Sequence, residues 1–415
     1  TREWLIKWCG ESIKIMNVLF LTLGWITDIN ARGIYTDLLR EFIHHGHRCY
    51  IVTPKERSTG EPTSVTDFPG GKILGVKTLN IQKTNIVEKG IGMLLLERQY
   101  LYAIRKYFAN VYFDLILYST PPITFNQVIE SEKKRCGART YLLLKDIFPQ
   151  NAVDLGMFSR KGLFYRFFRK KEQKLYQISD YIGCMSPANV QFVLRYNPGV
   201  DPRKVEVCPN CVKLEEMEKE VDREQVLGEL GIPSEKTIFV YGGNLGKPQG
   251  VDFLMEVLEV NERRSNSYFV VIGSGTEYPR LKRWFLDNDL QNSKLLSALP
   301  KEQYDNLVRV CDIGLIFLDR RFTIPNYPSR LLSYLESRVP VLLATDRNTD
   351  IGMIAVENGY GCWVESGDLE GFFSLVKKLV WNVNLREEMG QRGYQFLKEN
   401  YTVEKGYEII MNHFK

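Results

Sequence analysis

The sequence predicts an α/β protein with two doubly wound lobes that face each other across a cleft. Short apolar runs alternate with helix-length segments from Met16 onwards, and a second series of the same kind begins after Asn210. Such alternation is typical of βαβ units and parallel sheets. Glycine-rich turns follow several of the predicted strands. Because ligands of these folds bind at the carboxyl ends of strands, we expect the binding site between the lobes.

Each series divides into strands and helices by length and periodicity. The first has strands in NVLFLTL, RCYIVTP, FDLILYST, TYLLLKD and YIGCMSP, with helices in GIYTDLLREFIHHGH and LLLERQYLYAIRKYF. The second has strands in TIFVYGGN, SYFVVIGSG, KLLSAL, DIGLIFL, RVPVLLATD and GCWVESG. The predicted organisation is an extension over 1–15, lobes over 16–213 and 214–395, and a helix over 396–415 that packs back on the first lobe. Residues 215–224 are the expected linker.

Composition favours a globular protein with one basic lobe. Of 415 residues 44% are hydrophobic and 25% charged, and no apolar run reaches the roughly 18 residues that a membrane span needs. The net charge of +5 is uneven, since residues 1–213 hold 31 Lys+Arg against 19 Asp+Glu, a net of +12, and the remainder carries −7. Such a lobe predicts an anionic partner: a membrane, a phosphorylated substrate or nucleic acid. No recognition motif supports nucleic acid.

Cys208-Pro-Asn-Cys211 has the spacing of a redox motif or of half a zinc site. The sequence offers no second pair of this kind, and its four histidines are not spaced to complete the site. We therefore expect neither a metal nor a cofactor.

The stretch TIPNYPSRLLSYLESRVPVLLATD, Thr323–Asp346, predicts a short helix that enters at Pro328 and leads into a buried strand. Ser329 is expected to cap the helix, and Arg330 adds a positive charge at its start. Free N–H groups beside an arginine favour an anion, most often a phosphate. An ordinary capped helix explains the same pattern equally well.

Two glycine-rich turns end strands of the second lobe, Tyr241–Lys247 and Ile272–Gly275. Glycine there lets the backbone approach a phosphate or a sugar, and Lys247 supplies a charge. Any α/β protein needs glycine at such corners, so each turn alone is a weak signal.

Four segments occur in the order found in family 4 glycosyltransferases of the GT-B fold: YGGNLGKPQGVDFL, VIGSGTEYPRLK, LPKEQYDNL and IPNYPSRLLSYLESRVPVLLATD. They most resemble the branch that builds bacterial capsule and O-antigen units, including N-acetyl-fucosaminyl transferases. ISDYIGCMS followed by VEVCPNCV resembles the family's approach to its interdomain linker, with Cys211 where glycine is usual. The resemblance covers nearly the whole chain from Met16 and implies two Rossmann-like lobes.

The resemblance also implies a UDP-sugar site in the second lobe. There Gly243, Asn244 and Lys247 approach the diphosphate and donor sugar, Leu299 and Pro300 border the base, and Ser329 and Arg330 meet the diphosphate. Further expected polar or glycine contacts are Gly275, Asn326, Tyr327 and Asp350, with Gly33 in a loop of the first lobe that closes over the phosphates.

One departure from the family concerns two glutamates, eight positions apart, that touch donor sugar and ribose in many members. Their places are taken here by Pro325 and Ser333, and Glu336 lies one turn beyond. We interpret this as a branch-specific solution; weak or absent catalysis is the alternative.

Asp146, at the end of TYLLLKD, is the expected polar group acting on the acceptor hydroxyl. A strand-end carboxylate that caps the next loop is the structural alternative. Residues 158–176 hold seven Lys/Arg and one Glu interleaved with aromatics. This pattern favours an interfacial helix on anionic lipid, and an amphipathic helix with its aromatics in the core is again the alternative.

The residues give no indication of a metal site, and the resemblance implies a retaining hexosyltransferase. It would move a sugar, an N-acetylated or deoxy amino sugar, from a UDP-sugar to a polyprenyl-diphosphate-linked saccharide at the cytoplasmic face of a bacterial plasma membrane. Catalytic roles fall to Asp146, Lys247 and Arg330. The rival functions are a non-catalytic partner subunit of the same fold and a UDP-sugar epimerase.

Overall fold

Two predominantly parallel sheets, one in each half of the chain, organise the molecule. The structure, a computed structural model, describes residues 14–81, 86–214, 221–264 and 266–414. The predicted extension and linker lie largely outside these residues, since 1–13 and 215–220 are not described. The prediction of two Rossmann-like α/β lobes is confirmed.

In the described part of the first lobe, one eight-stranded sheet has the order β3-β4-β2-β1-β5-β6-β7-β8. Its strands are β1 (Asn17–Leu21), β2 (Arg48–Glu56), β3 (Ser64–Phe68), β4 (Gly71–Thr78), β5 (Leu115–Ser119), β6 (Arg139–Leu144), β7 (Tyr181–Cys184) and β8 (Val205–Val207). The helices around it are α1 (Ile34–His44), α2 (Ile86–Tyr107), α3 (Asn126–Cys136), α4 (Gln150–Asp154), α5 (Leu163–Ile178) and α6 (Pro187–Tyr196). Central strands such as NVLFL and LILYS are almost wholly buried, as a parallel sheet covered on both faces requires.

The second lobe has a parallel sheet of order β11-β10-β9-β12-β13-β14. Its strands are β9 (Thr237–Asn244), β10 (Ser267–Ser274), β11 (Ser293–Ser297), β12 (Ile313–Phe317), β13 (Val341–Thr345) and β14 (Gly361–Glu365). The helices that follow β8 are α7 (Arg223–Glu229), α8 (Val251–Asn261), α9 (Tyr278–Asn288), α10 (Lys301–Val310), α11 (Arg330–Glu336), α12 (Ile351–Glu357), α13 (Leu369–Trp381), α14 (Val383–Asn400) and α15 (Val403–Met411).

The hairpin of β3 and β4 is absent from the sequence-based prediction. β3 pairs antiparallel at the edge of the sheet and is half-exposed along its length, so it lacks an apolar run. β4 then continues the sheet in parallel with β2. Periodicity detects buried strands, and this edge strand is not one.

The last helix, α15, packs on the first lobe rather than on the lobe that precedes it. Its Tyr407 meets Phe42 of α1 edge to face at 4.9 Å, and the Tyr407 hydroxyl lies 2.9 Å from Nε2 of His47. A side chain at Gly406 would come within 2.7 Å of the Cys211 sulfur, so glycine allows this approach. The chain returns to the first lobe between α14 and α15, a few residues beyond the predicted position 396.

A loop of the second lobe is also anchored in the first. Phe322 and Ile324, just before α11, are buried within the hydrophobic core that lies over the first sheet. Between them, Thr323 donates to Asp154 at the end of α4, from its backbone N–H at 2.8 Å and from its hydroxyl at 2.9 Å. The loop that leads to Arg330 therefore contacts both lobes.

Candidate functional site

A cleft of about 810 Å³ lies between the lobes at the carboxyl ends of both sheets. Its walls come from the loops after β1, β5 and β6 in the first lobe and after β9, β10, β11 and β12 in the second. Nine of the residues predicted from sequence line it: Gly33, Asp146, Gly243, Asn244, Leu299, Asn326, Tyr327, Ser329 and Arg330.

Arg330 is the first residue of α11, and its guanidinium forms part of the cleft wall. Nη2 donates to Oε1 of Gln249 at 2.6 Å, and the planar group lies over the Tyr241 ring at 4.2 Å. Nη1 is buried and has no hydrogen-bond partner, and no carboxylate of the described residues pairs with this side chain. A buried guanidinium without a counter-ion is unfavourable unless a ligand supplies the negative charge.

The glycine turn after β9 faces this guanidinium. Gly243 has φ +120, in the left-handed region, and a side chain there would lie 3.8 Å from Cζ of Arg330. Asn244 is exposed in the cleft, while its carbonyl accepts a hydrogen bond from the Tyr241 hydroxyl at 2.8 Å. The turn thus leaves backbone and a small polar side chain beside Arg330.

The segment before α11 contributes polar groups of different kinds. Asn326 has a buried side-chain nitrogen for which the described residues supply no hydrogen-bond partner. Tyr327 is already paired, since its hydroxyl lies 2.5 Å from that of Tyr401, and burial raises its pKa well above the ordinary value. Ser329 does not cap α11: its backbone is already helical, at φ −68 and ψ −14, and its side chain makes no cap hydrogen bond. The predicted capping role was therefore wrong.

On the opposite wall, Asp146 follows β6. Its Oδ1 accepts from Asn151 Nδ2 at 2.9 Å, and its backbone is held by the Thr120 hydroxyl. Burial raises the pKa of Asp146, partly opposed by the Asn151 hydrogen bond, so the carboxylate is a stronger base than a free aspartate. Gly33 lies at the start of α1, where its N–H donates to Asp37 at 3.1 Å.

Four predicted residues lie outside the cleft wall, each for a local reason. Lys247 is exposed one residue before Pro248, which does line the cleft. Gly275 packs on the Leu245 carbonyl, which a side chain would approach to 2.4 Å. Pro300 is exposed at the start of α10, whereas its neighbour Leu299 reaches the cleft.

The fourth is Asp350, which joins the lobes instead of facing a ligand. Its Oδ2 accepts from the backbone N–H of Ala188, at the start of α6, at 2.8 Å. Its Oδ1 is buried without a partner. Asp350 therefore holds the first lobe against α12.

Gln249 and Asn151 are functional candidates that sequence reasoning missed. Each orients a charged group, Arg330 or Asp146, by a hydrogen bond. Neither is part of a periodic pattern or a glycine turn, so only the spatial arrangement identifies them.

Neither cysteine of the CPNC segment is a candidate for redox chemistry. Cys208 and Cys211 are buried free thiols, and burial raises the pKa of Cys211 to about 12. A possible metal group among the described residues, Glu41, His44 and His45, lies on α1 and does not line the cleft.

Residues 222–396 match the sequence family of glycosyl transferases group 1. This match makes most of the second lobe similar to a group 1 glycosyltransferase domain. The probable glycosyltransferase WbjE of Pseudomonas aeruginosa is 22% identical over 284 residues, 67% of this chain and 68% of that protein. The putative colanic acid biosynthesis glycosyl transferase WcaI of Escherichia coli K12 is 24% identical over 233 residues, 53% of this chain and 54% of that protein.

Solved structures share the fold at low sequence identity. Sucrose-phosphate synthase from Thermosynechococcus elongatus superposes with a TM-score of 0.76 at 11% identity, covering 96% of this chain and 98% of that one. Anabaena HepE in complex with UDP-glucose gives a TM-score of 0.68 at 13% identity, covering 96% of this chain and 99% of that one. These likenesses place the group 1 domain and the first lobe in the GT-B architecture.

Pro325 and Ser333, which stand where the family resemblance implies glutamates, lie in different surroundings in the structure. Pro325 is buried, and its carbonyl accepts from Asn189 at 2.7 Å, whereas Ser333 lines the cleft. Glu336 also lines it and forms an ion pair with Arg32 of the opposite lobe. Burial raises the pKa of Glu336, and the Arg32 charge opposes that rise. Glu336 thus bridges the cleft.

Proposed function

We propose that this protein transfers a sugar from a UDP-sugar to a hydroxyl group of a lipid-linked saccharide, with retention of configuration, in the synthesis of a bacterial surface polysaccharide. The observation that carries the proposal concerns Arg330, which lines the cleft between the lobes within the segment similar to group 1 glycosyltransferases. Among the described residues, its buried Nη1 has no hydrogen-bond partner. A diphosphate is the charge complement of such a group. UDP-glucose is bound in the complex of HepE, which shares the fold.

The expected chemistry is departure of the UDP diphosphate from the anomeric carbon with attack by the acceptor hydroxyl on the same face. Arg330, fixed by Gln249, stabilises the charge that develops on the leaving oxygen, and the Asn326 amide donates to the donor. The leaving phosphate accepts the hydroxyl proton, and Asp146 orients that hydroxyl from the opposite wall. Glu336 is held by Arg32, so we assign it no role as a nucleophile.

We further propose that α5 and the loop before it lie on an anionic membrane. Leu163 and Phe164 are 82% and 72% exposed, and Met157 and Phe167 are exposed as well. Four exposed basic side chains of this segment make no ion pair in the described part of the chain: Arg160, Lys161, Arg166 and Lys170. The other three, Arg169, Lys171 and Lys174, pair with Glu172, Glu97 and Glu130.

Apolar side chains among free cations suit an interfacial surface that attaches to anionic lipid. In the described residues no helix is both long enough and apolar enough to cross a bilayer. A lipid-linked acceptor would then be presented to the cleft from the bilayer beside α5.

The deciding experiment is a donor screen. The purified protein is incubated with UDP-sugars, beginning with N-acetylated and deoxy amino sugars, with and without a polyprenyl-diphosphate-linked saccharide, and products are identified by mass spectrometry. Acceptor-dependent elongation with release of UDP supports the proposal. An isomerised donor without acceptor would indicate an epimerase, and UDP-sugar binding without any product would indicate a non-catalytic partner subunit.

Asp146→Asn serves as the mechanistic control in the same assay. Because the amide preserves the shape of the side chain, UDP affinity should stay within about twofold of the wild type while transfer falls. Wild-type transfer by this variant would remove Asp146 from the acceptor site.

A further inference from the structure

One charged group of the cleft forms no ion pair among the described residues and has no role in the proposed function. Seven charged side chains line the cleft, and in the described part of the chain four of them are ion-paired: Arg32 with Glu336, Asp37 with Arg40, and Lys301 with Asp305. The remaining three are Lys145, Asp146 and Arg330. Arg330 and Asp146 have roles in donor departure and acceptor orientation. Lys145 has none.

The surroundings of Lys145 supply almost no negative charge. Its ammonium has three N–H donors, and in the described residues it makes one hydrogen bond, to the backbone carbonyl of Cys208 at 3.2 Å. The nearby thiols of Cys184 and Cys211 are neutral at pH 7, because burial raises the pKa of each to about 12. Burial also lowers the pKa of Lys145 itself, which reflects the cost of an ammonium held without a counter-ion.

Lys145 and Asp146 are consecutive at the end of β6, and their side chains make different contacts. Asp146 hydrogen-bonds to Asn151, whereas Lys145 reaches the loop after β8, where Asn210 also lines the cleft. Lys145 therefore stands beside the acceptor-orienting carboxylate without being its ion-pair partner.

We propose that Lys145 binds an anionic group of a substrate, a carboxylate or a phosphate, in a second anion subsite on the first-lobe wall of the cleft. The inference rests on the proposed function, in which Arg330 takes the donor diphosphate, and it adds that one substrate carries a further negative charge. Two sources fit this chemistry. One is a carboxylate on the donor sugar, and the other is the diphosphate that links the acceptor sugar to its lipid.

Calorimetric binding to the full-length protein tests the subsite with soluble probes. UDP-glucose has a neutral group at C6 of the sugar and UDP-glucuronate has a carboxylate there, so this pair tests whether the charge is on the donor. Inorganic pyrophosphate, added to protein saturated with UDP so that the Arg330 site is filled, examines the acceptor source. Each probe is measured on the wild type, Lys145→Met, Lys145→Arg and, as a matched control, Lys282→Met, which changes an exposed lysine of α9.

In the donor arm, we expect UDP-glucuronate to bind the wild type about 10-fold more tightly than UDP-glucose does. In the acceptor arm, we expect pyrophosphate to bind the wild type about 10-fold more tightly than it binds Lys145→Met. One of the two results is enough, and the factor is the one that a charge-assisted hydrogen bond typically contributes. Lys145→Met should lose that preference while its affinity for UDP stays within about twofold. Lys145→Arg should retain part of the preference, and Lys282→Met all of it. A preference for UDP-glucuronate assigns the charge to the donor, and pyrophosphate binding assigns it to the acceptor.

Wild-type protein that neither prefers UDP-glucuronate nor binds pyrophosphate overturns the inference, whether or not the Lys145 variants fold. So does a preference that survives in Lys145→Met. Failure of the proposed function is a separate result, because it appears as absence of transfer in the donor screen or as UDP binding that does not depend on Arg330.

Discussion

Replacing Arg330 with alanine should separate catalysis from stability. The guanidinium lines the cleft, and Nη2 lies 2.6 Å from Gln249 Oε1. Among the described residues, Nη1 has no hydrogen-bond partner and no carboxylate forms an ion pair with this side chain. Removing one preorganised charged donor from a developing oxyanion typically costs roughly 3 kcal/mol, so kcat should fall about 100-fold. UDP affinity should fall as well, because the leaving diphosphate is also part of the bound donor.

The same structure predicts little effect on the stability of the fold. The stacking of Arg330 on Tyr241 at 4.2 Å is worth about 0.5–2 kcal/mol, depending on its desolvation. Its loss is offset because a buried unpaired charge is also removed. Arg330→Ala should therefore melt within a few degrees of the wild type. If Arg330 had a structural role instead, Arg330→Ala would lower the melting temperature together with the activity.

The assay measures UDP release under saturating donor and acceptor, UDP binding by calorimetry and the melting temperature on the same preparations. Arg283→Ala, an exposed arginine of α9, is the control and should match the wild type in all three. A folded Arg330→Ala protein with near-normal kcat and UDP affinity would show that the diphosphate binds elsewhere.

Lys247→Ala should lower kcat by less than about 10-fold, because this exposed side chain lies outside the cleft wall and is screened by solvent. A roughly 100-fold loss in the UDP-release assay would instead place Lys247 at the diphosphate. Replacing Arg160, Lys161, Arg166 and Lys170 together with glutamine should reduce sedimentation with anionic vesicles and leave UDP affinity unchanged, because each cation contributes on the order of 1 kcal/mol at such a surface. Equal sedimentation of this variant and the wild type contradicts the membrane assignment. An equal loss when Lys282 and Arg283 are changed instead contradicts it as well. His47 is buried, and its Nδ1 accepts a hydrogen bond from the Met16 N–H. Burial lowers the pKa of His47 from 6.5 to about 4. The contribution of the neutral imidazole to the free energy of unfolding is therefore complete above about pH 6.5 and is lost as the pH falls towards 4. The free energy of unfolding in urea should therefore drop by about 2 kcal/mol more between pH 7.5 and 5 in the wild type than in His47→Gln, and parallel pH profiles would show that His47 does not titrate in this way.

The fold was predictable because the central strands of both sheets are parallel and buried. Runs such as LILYS and IGLIF leave a clear apolar signal, and their alternation with helices determines the architecture. The half-exposed edge strand β3 has no such signal, and the hairpin was missed for that reason.

The site was predictable only as far as the backbone positions its residues. Arg330 follows from a helix start, and Gly243 from a strand-end turn with positive φ. Lys247 was assigned to the same site from its glycine-rich turn and the family resemblance, and Asp350 as a polar group nearby. In the structure Lys247 is exposed to solvent and Asp350 holds the lobes together. The pairing of Arg32 with Glu336 joins residues 304 positions apart, which no local pattern reveals.

The anchoring of Thr323 has a consequence for engineering. Enzymes with two lobes invite chimaeras in which one lobe is exchanged to change the donor. Here the loop that carries Arg330 into place has Phe322 and Ile324 in the core of the other lobe and Thr323 bound to Asp154. An exchange at the linker would leave that loop facing a foreign surface. A folded chimaera must therefore keep the surface around Asp154 together with the second lobe. The segment to be exchanged is then larger than the lobe of 214–395 that the sequence predicts.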